Sequence, residues 1–121
     1  MLNVQTRNKM NVSKEILNQT LLLSLDGDLI GESNGVEILG IVNDSLSTTI
    51  NSCIIDLSNL RYMNSSGVGV LITILTKVNT NKGKMVLVNP TSQIIKLLEI
   101  TKLDTIFNTV KSITEAKELT K

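Results

Sequence analysis

Apolar positions along this chain switch repeatedly between runs suited to strands and spacings suited to one helix face, which predicts an alternating order of elements. Residues 10–17 and 20–26 read as two strands joined at Asn18-Gln19. Leu21-Leu22-Leu23 is apolar on both faces, as a central strand requires. Gly27 is expected to end that strand. Residues 33–50 carry Val36, Leu39, Val42, Asn43, Leu46 and Ile50 at roughly helical spacing, with Ser33 or Asn34 as the cap. Cys53 to Leu57 follows as a buried strand. Val68, Leu71, Ile72, Leu75 and Val78 then repeat as one helix face over residues 66–80, and Asn81-Lys82-Gly83 closes that helix with a glycine suited to the left-handed cap position. Met85 to Val88 is a second fully apolar strand. A short helix opens at Pro90 with Ile94, Leu97 and Leu98 facing inward, and Thr105-Ile106-Phe107 suits a last short strand. Ser112 and Glu115 stand at capping-box spacing ahead of a terminal helix to Leu119.

Such alternation implies an α/β fold with a parallel-rich sheet and crossover helices. Sites in such sheets lie beyond the carboxyl ends of the strands. The loops leaving those ends, 27–33, 58–66 and 89–92, are expected to meet on one surface around Ser65. Ser65 lies at or near a first helical turn, whose N–H groups lack partners inside the helix, and Asn64 or Ser65 can cap them. Tyr62 and Met63 suit either an apolar contact spot or a lid tucked onto the core. Gly67 and Gly69 allow either close approach by a partner or tight packing of the helix on the sheet. Asp26 and Asp28 resemble a carboxylate pair, but turn chemistry around Gly27 accounts for them. Residues 1–9 show no strong period and read as an extra strand or a loose arm, with residues 10–121 forming one domain.

Composition narrows the chemistry. At 121 residues and 41% hydrophobic content, the chain suffices for one core. Twelve basic and 11 acidic residues give a net charge of +1, so no polyanion partner is favoured and nucleic-acid binding is not expected. No apolar run approaches the roughly 18 residues of a membrane span, and a cytoplasmic protein is expected. The single cysteine, Cys53, reads as a small apolar side chain. With no histidine and one cysteine, the usual zinc and iron ligand sets and the Ser-His or Cys-His nucleophiles are out of reach. Neither an enzyme nor a bound cofactor or metal is expected.

The segment Asp56-Leu57-Ser58, a short spacer, then Asn64-Ser65-Ser66-Gly67-Val68-Gly69, preceded by Leu21 to Leu29 with its Asp-Gly-Asp-Leu turn, resembles the STAS domain of bacterial anti-sigma-factor antagonists. The family motif reads Asp-Leu-Ser, a spacer, and Asp-Ser-Ser-Gly-Leu-Gly, and the similarity runs from about Val12 to the C-terminus. It implies a mixed, mostly parallel sheet of four to five strands with four helices. It also implies a phospho-switch: Ser65 is phosphorylated by a partner that is both anti-sigma factor and serine kinase, and a PP2C-type phosphatase restores the binding form. The unphosphorylated protein, a monomer or weak dimer, captures the anti-sigma factor through Asp28, Ile30, Tyr62, Met63, Asn64, Ser65, Ser66 and Gly67. This chain departs from the motif at Asn64, where the family carries an acid. Capping alone makes the two residues equivalent, so Asn64→Asp is expected to change partner affinity less than about tenfold. The missing charge leaves open a second reading, a STAS scaffold in a signalling or lipid-transport complex that is not phosphorylated.

Overall fold

In the computed structural model, which describes residues 10–121, the elements run β1 (Asn11–Leu17), β2 (Thr20–Leu29), α1 (Gly31–Ser45), β3 (Ser52–Met63), α2 (Ser65–Thr80), β4 (Met85–Val88), α3 (Ser92–Ile100), β5 (Asn108–Val110) and α4 (Ile113–Leu119). The five strands form one sheet in the order β1-β2-β3-β4-β5, antiparallel between β1 and β2 and parallel elsewhere. This is the expected mixed, mostly parallel α/β domain with four helices. Residues 1–9, which the sequence pattern leaves as an arm or extra strand, lie outside the described residues.

Strand alternation divides the core into two faces. Leu21, Leu23 and Leu25 of β2, Cys53, Ile55 and Leu57 of β3, and Met85 and Leu87 of β4 point to one side, where Ile38 and Val42 of α1, Val68, Leu71, Ile74 and Val78 of α2, and Ile94 and Leu98 of α3 cover them. Each such leucine or isoleucine, once buried, stabilises the fold by about 1.5–3 kcal/mol. The opposite face carries Ile54, Val86 and Val88, covered by Ala116 and Ile113 of α4. Cys53 is fully buried, and that burial pushes its thiol up to about 12, so it packs rather than reacts.

Several elements differ from the sequence reading, each for a local reason. β2 does not end at Gly27. It continues to Leu29, and Gly27 takes φ 117° within the strand, a conformation that disfavours any side chain. Asp26 and Asp28 are therefore strand residues and not turn residues; Asp28 pairs with Arg61 across the ladder at 3.4 Å. β3 likewise runs past Leu57 to Met63, because two bulges absorb its polar residues. Opposite the single residue Leu25 stand both Leu57 and Ser58, and between Gly27↔Leu60 and Asp28↔Tyr62 the extra residue is Arg61. The Asp56 carboxylate accepts from the Ser58 N–H at 3.0 Å and from the Ser58 hydroxyl at 2.6 Å, which supports the first bulge.

Helix α1 starts two residues early and stops at Ser45. Its buried face is Asn34, Gly35, Ile38, Val42 and Ser45, while Val36, expected inward, is 86% exposed. Gly35 faces Val70 of α2, so small residues rather than large ones form this contact. At the end of α2, Lys82 and not Gly83 takes the left-handed conformation, with φ 62°. Gly83 is needed for a different reason: a Cβ there would run into the carbonyl of Asn51. α3 begins at Ser92 with Thr91 as cap, just beyond Pro90. The last strand lies at Asn108–Val110 and not at 105–107, because Phe107 turns its ring into the core while Ile106 closes a turn onto Leu103.

Candidate functional site at a shared start of two helices

Parallel pairing of β2 with β3 brings their carboxyl ends side by side, and each strand feeds directly into a helix. The N-termini of α1 and α2 consequently start next to each other. Asn64 joins them. Its N–H donates to the Leu29 carbonyl at 3.2 Å, and its Oδ1 accepts from the Gly67 N–H of α2 at 2.8 Å and from the Gly31 N–H of α1 at 3.2 Å. One carboxamide thus caps two helices, which suits α1 because its own N-cap residue, Ile30, offers no side-chain acceptor. Neither Ser33 nor Asn34 is the N-cap of α1. Asn34 instead reaches back, accepting from the Ile30 N–H at 2.8 Å.

The close approach depends on glycine at two positions. A Cβ on Gly31 would run into the backbone of Ser66, and one on Gly67 would lie 2.6 Å from the Leu29 carbonyl oxygen and 2.8 Å from Met63 Cγ. Gly69 faces open space. The two motif glycines therefore separate: Gly67 serves packing, while Gly69 leaves room above the helix.

Sequence reasoning misses Glu32. From the first turn of α1 its Oε1 accepts from Asn64 Nδ2 at 2.8 Å and from the Ser66 hydroxyl at 2.6 Å. Ser66 Oγ also lies 3.1 Å from Asn64 Oδ1. The partners of Glu32 stand 32 and 34 residues away, so no local spacing marks it. The only sequence signal is an acid in the first turn of the helix that follows the other strand end. The Ser66 hydroxyl first, and the Asn64 amide second, hold the Glu32 carboxyl at about 2 against an ordinary 4.5.

This depression sets a pH dependence. A carboxyl whose folded value is lowered stabilises the fold fully above about pH 4.5 and loses that contribution as pH falls toward about 2. Because Glu32 is exposed, the effect is small and screened by salt. Acid unfolding of wild type and Glu32→Gln at low ionic strength is expected to diverge above this window and converge below it. Parallel curves throughout would contradict the bonding described.

Of the predicted contact residues, the structure brings Ile30, Asn64, Ser65 and Ser66 to the shared helix start. Ser65, the first residue of α2, is exposed, and among the described residues its hydroxyl has no hydrogen-bond partner, whereas that of Ser66 is committed to Glu32. Tyr62 is 53% exposed, but Met63 is 2% exposed and packs inward, so of its two readings the structure takes the core lid; Gly67 is buried as well. From the third loop, Asn89 Nδ2 reaches the Ser58 hydroxyl at 3.3 Å. Beyond that loop, α3 lies along the projecting end of β3, and Tyr62, Met63, Ile94, Leu97 and Ile100 line an apolar groove of about 320 Å³ with Arg61 and Lys96 at its rim. Among the described residues no group of three or more acidic or cysteine side chains comes together as a metal site, and no helix is long and apolar enough to cross a membrane.

Comparisons with known proteins fit this geometry. A relative in Thermotoga neapolitana, named as a candidate anti-sigma factor antagonist, is 31% identical over 78 residues, which is 64% of this chain and 69% of the relative. A counterpart in Thermotoga maritima is 28% identical over the same shares. The crystal structure of a candidate antagonist from Thermotoga maritima superposes with a TM-score of 0.80 at 24% identity, covering 88% of this chain and 92% of that one. SpoIIAA, an anti-sigma factor antagonist solved in its unphosphorylated form, superposes with a TM-score of 0.65 at 19% identity over 89% and 94% of the two chains. At these identities the superpositions establish the fold. The STAS domain model itself matches residues 11–116, nearly the whole of the described chain, and the chain belongs to the STAS domain family.

Proposed function

We propose that this protein is an anti-sigma-factor antagonist of the partner-switching kind. Its unphosphorylated form captures an anti-sigma factor that is also a serine kinase, and phosphorylation of Ser65 ends the capture. One observation carries this reading: of the two adjacent, exposed motif serines, Ser65 alone has a hydroxyl with no hydrogen-bond partner among the described residues. The names of the Thermotoga relatives and of SpoIIAA support it. A kinase must seat the acceptor oxygen in line with a phosphoryl group, and a hydroxyl already donating to Glu32 is a poorer acceptor than one held only by its backbone.

The capture surface comprises Asp28, Ile30, Tyr62, Asn64, Ser65 and Ser66, with Met63 and Gly67 supporting it from beneath. Val36, one helical turn beyond Glu32, adds an exposed apolar contact. Phosphate brings about −1.5 to −2 charge to the centre of this surface. The fold tolerates it, since the charge sits at the positive end of α2; the interface does not. A PP2C-type phosphatase reverses the switch in the cytoplasm. The scaffold reading rests on the missing acid before Ser65, and Glu32 supplies an acid at that point, so the switch is favoured.

The test is to incubate the purified protein with ATP and the anti-sigma factor/serine kinase encoded in its own genome, and to map any added mass by fragmentation. One phosphate on Ser65 is expected. Phosphate confined to another residue, or none, would remove the proposal.

A further inference from the structure

We propose that Glu32 and Asn64 are a matched pair: the negative charge that the motif places directly before the switch serine is supplied here from the neighbouring helix, and Glu32 makes Ser65 recognisable to the kinase. The inference rests on the reading of Ser65 as the phosphate acceptor.

Donors and acceptors define the pair. Residue 64 must accept at Oδ1 from Gly67 N–H and Gly31 N–H, which Asn and Asp do equally well. It must also donate to Glu32 Oε1 at 2.8 Å, which only the amide can do. The substitution Asn64→Asp would instead place two carboxylates at hydrogen-bond distance, and two such groups do not both ionise without cost. The equivalence of Asn and Asp expected from capping alone therefore fails in this chain. Combining Asn64→Asp with Glu32→Gln restores the same inventory, one carboxylate and one amide, with the donor and acceptor exchanged. Glu32→Gln by itself keeps a neutral hydrogen bond to Asn64 and loses the charge.

Glu32 is held in place from two sides, since Ser66 donates to the same oxygen at 2.6 Å. Its carboxyl stays ionised far below neutral pH. A fixed anion in the first turn of α1 thus stands beside the start of α2, where the Ser65 hydroxyl has no partner among the described residues, and the partner it fits is a kinase surface with a basic side chain directed at the junction of α1 and α2. Glu32 does not touch the reacting atoms in this geometry and acts as a positioning residue.

Four proteins test this: wild type, Asn64→Asp, Glu32→Gln and the double variant. In thermal unfolding at pH 7, Asn64→Asp is expected to melt lower than wild type, to recover as pH falls and one carboxyl takes a proton, and to be rescued at pH 7 by adding Glu32→Gln. In Ser65 phosphorylation, Glu32→Gln is expected to lose about tenfold or more in kcat/KM while the double variant returns to within about threefold of wild type. Rescue by charge exchange is a result that loss of structure alone does not produce. If Asn64→Asp melts with wild type and gains nothing from Glu32→Gln, or if Glu32→Gln is phosphorylated at the wild-type rate, the inference is overturned. Should wild type receive no phosphate at Ser65, the proposed function fails, and the unfolding cycle still decides whether the pair is matched.

Discussion

Ser65→Asp is expected to weaken capture of the anti-sigma factor roughly a thousandfold, while Ser65→Ala leaves capture nearly intact. The size follows from where the charge goes. A basic side chain of the partner at this junction is already matched by Glu32, so a second carboxylate at position 65 finds no free cation and loses its water; an unpaired buried charge costs several kcal/mol, and about 4 kcal/mol corresponds to a factor of a thousand. Alanine removes only a hydroxyl that has no partner among the described residues, and the cap of α2 comes from Asn64, so neither stability nor surface shape changes much. Both variants should resist phosphorylation. Ser66→Ala is the informative control, because it removes a donor to Glu32 without touching the acceptor. Isothermal titration of the four proteins against the same anti-sigma factor reads the result. Wild-type affinity in Ser65→Asp would mean that the contact surface lies elsewhere.

Gly67→Ala and Gly69→Ala, two residues apart on one helix, are expected to move stability in opposite directions. At Gly67 a methyl group would meet the Leu29 carbonyl at 2.6 Å and Met63 Cγ at 2.8 Å. The methionine can swing aside, but the strand backbone cannot, so overpacking of about 2–3 kcal/mol is expected together with a displaced helix start. At Gly69 the same methyl enters open space, and replacing a helical glycine by alanine gains about 0.5–1 kcal/mol. Urea unfolding separates them. Equal losses at both positions would show that α2 sits against the sheet in some other way. Because Gly69 leaves room above the helix, Gly69→Ala also reports on the interface: a more stable protein with weaker capture would place a partner atom directly over that position.

Strand and helix types are legible wherever the pattern is long and unambiguous. Met85 to Val88 is apolar throughout because helices cover both faces of β4, and the stripe from Val68 to Val78 is long enough to define its helix. The departures have tertiary causes. Ser58, Asn59 and Arg61 read as loop because bulges, not turns, accommodate them in β3, and a bulge is settled by the neighbouring strand. Gly27 reads as a stop because its positive φ suits a turn as well as a strand irregularity. The face of α1 is misphased in the pattern because the helix packs on α2 through Gly35, so the large residue beside it, Val36, points outward. The candidate site shows the same division. Ser65 and its capping neighbour are visible in the motif itself. Glu32 is not, because its role exists only once parallel pairing of β2 and β3 brings two helix starts together. Met63 has two readings that sequence does not separate, and burial separates them.

The central claim is that the unphosphorylated Ser65 surface captures an anti-sigma factor and that phosphate on this one oxygen ends the capture. Its most direct test is a reconstituted exchange: the sigma factor is bound to its anti-sigma factor, this protein is added before and after stoichiometric phosphorylation, and free sigma factor is measured. Release by the unphosphorylated protein, lost on phosphorylation and regained after treatment with a PP2C-type phosphatase, is the predicted result. Equal release by both forms, or by neither, would contradict it.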